Sequence, residues 1–261
     1  GFSTHDASIG YFNSAPIELI AGFFSLVAAV NFALFFLAWR SRSLTVVFRD
    51  AEFQFCMVVM AGIIVLTCGY LYVSGKFPLW ESIYRGFFQT ASIITDNGLV
   101  TTGYPGDWPF VVPLLLLLGS FFGGCVGSTC GGIKAFRFLL LFKQSLREAR
   151  LLVRPTAQIA VKVGNRPMSD RVMQAVWGFY FLYILSYCFF SFALAMTGVD
   201  LVTAFGSVAG CLNNMGVGLG ETAVGFGPLN DAATWLLSAS MVVGRLEVFP
   251  LLLLFLPDFW K

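Results

Sequence analysis

Four stretches of the chain stay apolar for the roughly 20 residues that an α-helix needs to cross hydrocarbon. They are Pro16–Trp39, Gln54–Ser74, Val172–Met196 and Ala232–Leu256, and each predicts a spanning helix. Two shorter apolar pieces lie inside "ESIYRGFFQTASIITDNG" (81–98) and "VDLVTAFGSVAGCLNNMG" (199–216). These stretches are eighteen residues each, with Phe87 in the place of Phe205 and Ala91 in that of Ala209. Their apolar parts, about 12 residues, are too short to span and carry little charge, so they predict re-entrant half-helices that stop mid-membrane. After each half-helix comes a glycine, Gly98 or Gly216, then a turn-rich segment to Pro109 or Pro228, then a long apolar run. Residues 1–39 repeat the later part of this pattern, from Gly1 through Pro16.

The repeating unit is a spanning helix, a re-entrant half-helix, an extended loop bearing a glycine, and a second spanning helix. On this reading, residues 1–53 hold the end of one pore loop, its second helix and a cytoplasmic link. Residues 54–144 form a complete repeat, 145–171 a cytoplasmic linker, and 172–261 another repeat. Non-helical backbone at membrane depth is tolerated only where protein buries it or water reaches it. Loops of this kind arranged around an axis would ring a pore with main-chain carbonyls. The half-helices direct their C-terminal ends, which carry partial negative charge, at the same place. Such a site suits a dehydrated monovalent cation. The expected fold is all-α and polytopic, with these units around a pseudo-four-fold, potassium-channel-like pore. Four-fold closure needs a further unit, and the start at "GFSTHD" is expected to lie within a longer polypeptide.

Composition agrees: 57% of residues are hydrophobic and 11% charged, with mean hydropathy +0.80, well beyond a soluble domain. Basic residues gather at Arg40, Arg42 and Arg49 and again from Lys134 through Arg171, which places loops 40–53 and 143–171 in the cytoplasm. The net charge of +2 is thus a matter of topology, and no nucleic-acid partner is expected. The linker's basic run could also touch anionic lipid or a soluble protein. The six cysteines form no C-x-x-C pair, so Cys125 and Cys130 read as packing residues rather than metal ligands.

Residues 119–132, within "GSFFGGCVGSTCGGIKAFRF", hold six glycines in fourteen positions and interrupt an otherwise hydrophobic run. "GSTCGGIK" is not a P-loop, because no Ser or Thr follows the lysine and no strand precedes the glycines. A hydrolytic role for Ser128 lacks a base, since the sole histidine is His5 in an outer loop. No enzymatic function is expected. Counted from Pro109, the glycine loop starts roughly 22 Å below the outer helix end at about 1.5 Å per residue. The same count from Asn230 reaches Arg245, a permanently charged residue at costly depth. Together they read as a gate below the filter: Gly123, Gly124, Gly127, Ser128, Thr129, Gly131 and Gly132 form the obstruction, and Arg245 ties it down and repels cations.

"TDNGLVTTGYP", "NNMGVGLGE", "GFSTHD", the glycine-rich break and "VVGRLEVFP" together resemble the Trk/Ktr/HKT superfamily of potassium transporters, and most nearly its bacterial TrkH-type pore subunits. The resemblance implies four pore units in one chain, a homodimer, a multi-pass place in the bacterial cytoplasmic (inner) membrane and a cytosolic nucleotide-binding regulatory ring. It implies no covalent cofactor, with K⁺ in the pore, and the same gate. The filter carbonyls are expected at Gly1, at Thr95, Asp96, Asn97 and Gly98, and at Asn213, Asn214, Met215 and Gly216, with the Asp96 and Asn213 side chains bracing the loops. Unlike neighbours of each filter glycine, and no TVGYG sequence, point to weaker exclusion of Na⁺. A Na⁺-conducting relative and an ion-coupled secondary transporter stay open as alternatives.

Overall fold

The computed structural model describes residues 3–156, 159–164, 166–223, 225–255 and 257–260. Two helices are long and apolar enough to span a bilayer: α4 (Ala51–Val73), with mean hydropathy 2.2, and α8 (Asp170–Ala195), with 1.7. Both match their expected runs within three residues. Their starts follow from side-chain caps that satisfy free helix N–H groups. Asp50 accepts from the Phe53 amide at 2.8 Å, and Ser169 from the Val172 amide at 3.4 Å. Only 22% of the apolar stretch of α4 and 28% of that of α8 are buried by the rest of the chain. Their remaining surface calls for apolar surroundings, lipid or protein.

The half-helices are α5 (Leu79–Ile94) and α9 (Leu201–Leu212). α5 is 16 residues long, longer than its apolar pattern suggested, because it starts directly after Pro78 and carries Glu81 and Arg85 in its outer turns. α9 starts at Asp200, whose carboxylate accepts from the Thr203 amide at 3.1 Å. Both are buried on nearly all sides: Phe88, Ile93, Ala204, Val208 and Leu212 are fully enclosed. α5 packs against α4, α1 (Ala15–Ala28) and α6 (Val111–Ser120), while α9 packs against α8, α10 (Asp231–Leu246) and, again, α6. The helix that closes one unit therefore supports the half-helix of the next.

The helices after the loops are not continuous. The run 16–39 divides into α1 and α2 (Phe32–Ser41), bent by 86°. Asn31 caps α2 by accepting from the Ala33 amide at 2.8 Å. The run after Pro109 divides into α6 and α7 (Ala135–Val153), with the glycine loop between them. The last run divides into α10 and α11 (Val248–Phe255) at Glu247, whose φ of 57° and ψ of 148° leave the helical region. The straight spans expected over 16–39 and 232–256 are thus corrected to broken ones. Further elements include the short α3 (Thr45–Phe48) and a hairpin of β1 (Lys162–Val163) and β2 (Arg166–Pro167) between α7 and α8.

Candidate ion pathway

α5 and α9 end in the same way. The amides of Asp96 and Asn97 return to the Ile93 and Ser92 carbonyls at 3.1 and 2.9 Å. Those of Asn214 and Met215 return to Cys211 and Gly210 at 3.0 and 2.8 Å. This is the Schellman arrangement, which requires a left-handed residue just past the helix. Asp96 (φ 55°) and Asn214 (φ 60°) fill that position, and Gly98 (φ 72°) and Gly216 (φ 83°) follow two residues later. The turn consumes N–H groups and leaves carbonyls over. Among the described residues, the carbonyls of Thr95, Asp96, Gly98, Asn214, Met215 and Gly216 accept no main-chain hydrogen bond.

Gly98 and Gly216 line one outer cavity of about 800 Å³, together with Ser8, Val100, Thr102 and Asp107. The loop after Gly98 is held from behind by polar groups. The Thr101 amide donates to Gln89 at 2.9 Å, and its hydroxyl to the fully buried Glu18 at 2.7 Å. Nearby, Arg85 pairs with Glu81 at 3.5 Å while donating to Asn13 at 3.1 Å. In the last unit hydroxyls replace the charges: Ser207 meets Thr222 at 2.7 Å, and the Glu221 amide donates to Thr203 at 3.1 Å.

A second cavity of about 480 Å³ lies inward of the first loop, between Thr95, Asp96 and Asn97 on one side and Ser25 and Ala28 of α1 on another, with Thr129 of the glycine loop also lining it. The glycine loop docks onto the α1–α2 break through its backbone. The Cys125 amide donates to the Ala29 carbonyl at 2.9 Å, and the Phe32 amide donates to the Gly127 carbonyl at 3.1 Å. Each break thus supplies partners for groups that a helix end leaves unpaired.

Gly131 sits at the base of both half-helix loops. A Cβ built on it would lie 1.8 Å from the Asn213 carbonyl oxygen and 3.5 Å from Asp96 Oδ2. Below it, a pocket of about 250 Å³ is lined by Ser128, Gly132, Lys134, Gly244, Arg245 and Glu247. Arg245 Nη1 donates to the Thr129 carbonyl at 3.3 Å. Lys134 Nζ donates to the Cys130 carbonyl, closing the loop on itself.

Of the residues expected in filter and gate, Gly98 and Gly216 line the first space, Thr95, Asp96, Asn97 and Thr129 the second, and Gly127, Ser128, Gly131, Gly132 and Arg245 the third, whereas Asn213, Asn214, Met215, Gly123 and Gly124 line none of them. Gly1 lies outside the described residues. The Asn213 side chain joins three elements, accepting from Tyr183 and donating to Ser120 at 2.6 Å. The Asn97 amide group donates to Ser25 at 2.8 Å. Neither oxygen of the buried Asp96 carboxylate meets a donor at hydrogen-bond geometry among the described residues; the main chain of Gly131 and the charge of Lys134 lie beside it. Sequence reasoning missed Glu18, Gln89, Lys134 and the Arg137–Glu247 ion pair. A lone carboxylate in an apolar helix was the available signal for Glu18. The Arg137 guanidinium also lies 3.7 Å over the Phe179 ring, joining α7 and α8 to the α10–α11 break.

The family described as "TrkH: Cation transport protein" matches residues 1–261. The Trk system potassium uptake protein TrkG of Escherichia coli (strain K12) is 47% identical over 261 residues, covering 100% of this chain and 54% of that protein. The Trk system potassium uptake protein TrkH of Halomonas elongata is 44% identical, with the same two shares. The crystal structure of the potassium transporter TrkH from Vibrio parahaemolyticus aligns at a TM-score of 0.94 and 44% identity, covering 100% of this chain and 56% of that one. The chain spans about half the length of the relatives it matches.

Proposed function

We propose, since this chain belongs to the TrkH family of cation transport proteins, that it forms filter and gate of a potassium uptake pore. It is a multi-pass membrane chain of a transport family, and the cytoplasmic membrane is its place on this reading. The observation that carries the proposal is the pair of identical half-helix ends. Each leaves main-chain carbonyls free of main-chain partners just past the half-helix, and each puts a glycine into the same cavity. Carbonyls can replace the hydration shell of K⁺, and the half-helix C-termini add a field that favours a cation.

The glycine loop acts as the gate. It seats Gly131 on the innermost carbonyl, that of Asn213, and Arg245 holds it from below. K⁺ passes when the loop leaves this position. The basic segments 40–53 and 143–171 provide the cytoplasmic face for a nucleotide-binding regulatory ring, and the working unit is a homodimer. The test is uptake of K⁺, Rb⁺ and Na⁺ into liposomes by the full-length protein. Gly98→Ser and Gly216→Ser should change the K⁺/Na⁺ ratio more than the amount of folded protein. Unaltered selectivity in both variants would contradict the filter assignment.

A further inference from the structure

We propose that the cytoplasmic end of α7 and the β1–β2 hairpin hold the headgroup of an anionic phospholipid. A cavity of about 260 Å³ there is lined by Lys143, Arg147, Arg150 and Lys162, with Leu146 and Val161. Lys143, Arg147 and Arg150 are spaced i, i+4, i+7 and so share one face of α7. The hairpin brings the fourth cation to them, with Lys143 Nζ donating to the Lys162 carbonyl at 2.6 Å. Among the described residues, one ion pair touches this set: Arg147 lies 3.6 Å from Asp170, a carboxylate 83% exposed to solvent. Arg147 Nη1 also donates to Gln144 at 3.4 Å, while its Nε is buried with no acceptor. Four cations facing one loosely held carboxylate leave room and charge for an anion. The cavity is several times the roughly 30 Å³ that a water molecule occupies, so a phosphate group fits.

The apolar side selects the source of that phosphate. A second cavity, about 740 Å³, continues from the first through Arg147 and Ile159–Val161; Leu151, Pro155, Met168 and Met173 form an apolar wall, and Ser169 and Asp170 a polar one. Met173 stands in the first turn of α8, where the apolar span begins. A basic pocket joined to a groove with an apolar wall, beside the start of an apolar span, has the chemistry of a phospholipid headgroup and the start of its acyl chain. A soluble anion would use only the first cavity.

The test uses the full-length protein, stripped of lipid in neutral detergent. Native mass spectrometry would count retained phosphatidylglycerol and phosphatidylcholine, with inorganic phosphate as competitor. The wild type should retain phosphatidylglycerol preferentially. Arg150→Gln with Lys162→Gln should lower its affinity by about tenfold or more and leave phosphatidylcholine unchanged. Leu151→Trp, which fills the groove but not the basic cavity and keeps the charges, should cause a comparable loss. Arg40→Gln with Arg42→Gln, cytoplasmic cations outside both cavities, should change nothing. Each protein's lipid-free melting temperature separates lost binding from lost folding. Equal affinity in the double variant, equal retention of the two lipids, or a like loss from the Arg40/Arg42 pair overturns the proposal. Inorganic phosphate binding as tightly as the anionic lipid also overturns it, in favour of a soluble-anion site.

Discussion

Gly131→Ala separates a movable gate from a fixed structural contact. The new Cβ would lie 1.8 Å from the Asn213 carbonyl oxygen and 2.8 Å from its carbon, where ordinary contacts are 3.4–4 Å. The loop must therefore retreat by roughly 1.5 Å or strain the end of α9, and overpacking of this kind costs about 1–3 kcal/mol. α9 is enclosed by α8, α10 and α6, so the loop yields. If that loop has a second, displaced position free of the clash, a penalty of about 2 kcal/mol on the closed form shifts the two-state ratio about 30-fold. Rb⁺ uptake by the full-length protein in liposomes should rise, up to the ceiling set by the filter. Gly244→Ala provides the contrast. Its Cβ would meet the Leu212 carbonyl at 1.8 Å, but Gly244 lies within α10 and has no displaced position to take. That variant should lose melting temperature without gaining flux. A folded Gly131→Ala protein with lower Rb⁺ uptake would rule out a gate here, because the glycine contact would then belong to the conducting form.

Arg245→Gln should raise flux several-fold by removing both a hydrogen bond to Thr129 and a cationic barrier. Combined with deletion of about ten residues across 123–132 it should give less than the sum of the single effects, since both act on one element. Glu18→Ala leaves the Thr101 hydroxyl without its buried acceptor, a loss of about 1–3 kcal/mol. Thermal unfolding should report that loss, and the K⁺/Na⁺ ratio should fall as the loop after Gly98 loosens. Gly62→Ala and Gly69→Ala on α4 meet nothing within 4 Å, and each should raise stability by about 0.4–1 kcal/mol, measured by thermal unfolding in detergent, with transport unchanged.

Periodicity and length carried much of the architecture. α4 and α8 follow from uninterrupted apolar runs with Asp50 and Ser169 as caps, and the two half-helix ends follow from their matched register. The repeated left-handed turn at Asp96 and Asn214 was less visible, because neither position is glycine, and Asp and Asn adopt that conformation only occasionally. The break between α1 and α2 was hidden for a related reason. No proline or glycine marks Val30–Phe32; the bend is held by backbone bonds from Cys125 and Gly127, about a hundred residues away. Asn31, a good N-cap inside an apolar run, was its sole local trace. The break at Glu247 likewise rests on a distant partner, Arg137. The glycine loop itself was legible from composition, whereas its seat on Asn213 depends on where α9 stops.

The proposed function stands or falls on whether Gly98 and Gly216 share one carbonyl-lined cation site above the glycine loop. Anomalous diffraction from crystals of the full-length protein grown in Rb⁺ tests it most directly. Rb⁺ density should lie between the Thr95–Gly98 and Asn213–Gly216 backbones, coordinated by their carbonyl oxygens and lost in Gly98→Ser. Rb⁺ bound elsewhere along the chain, with none between these two loops, would contradict it.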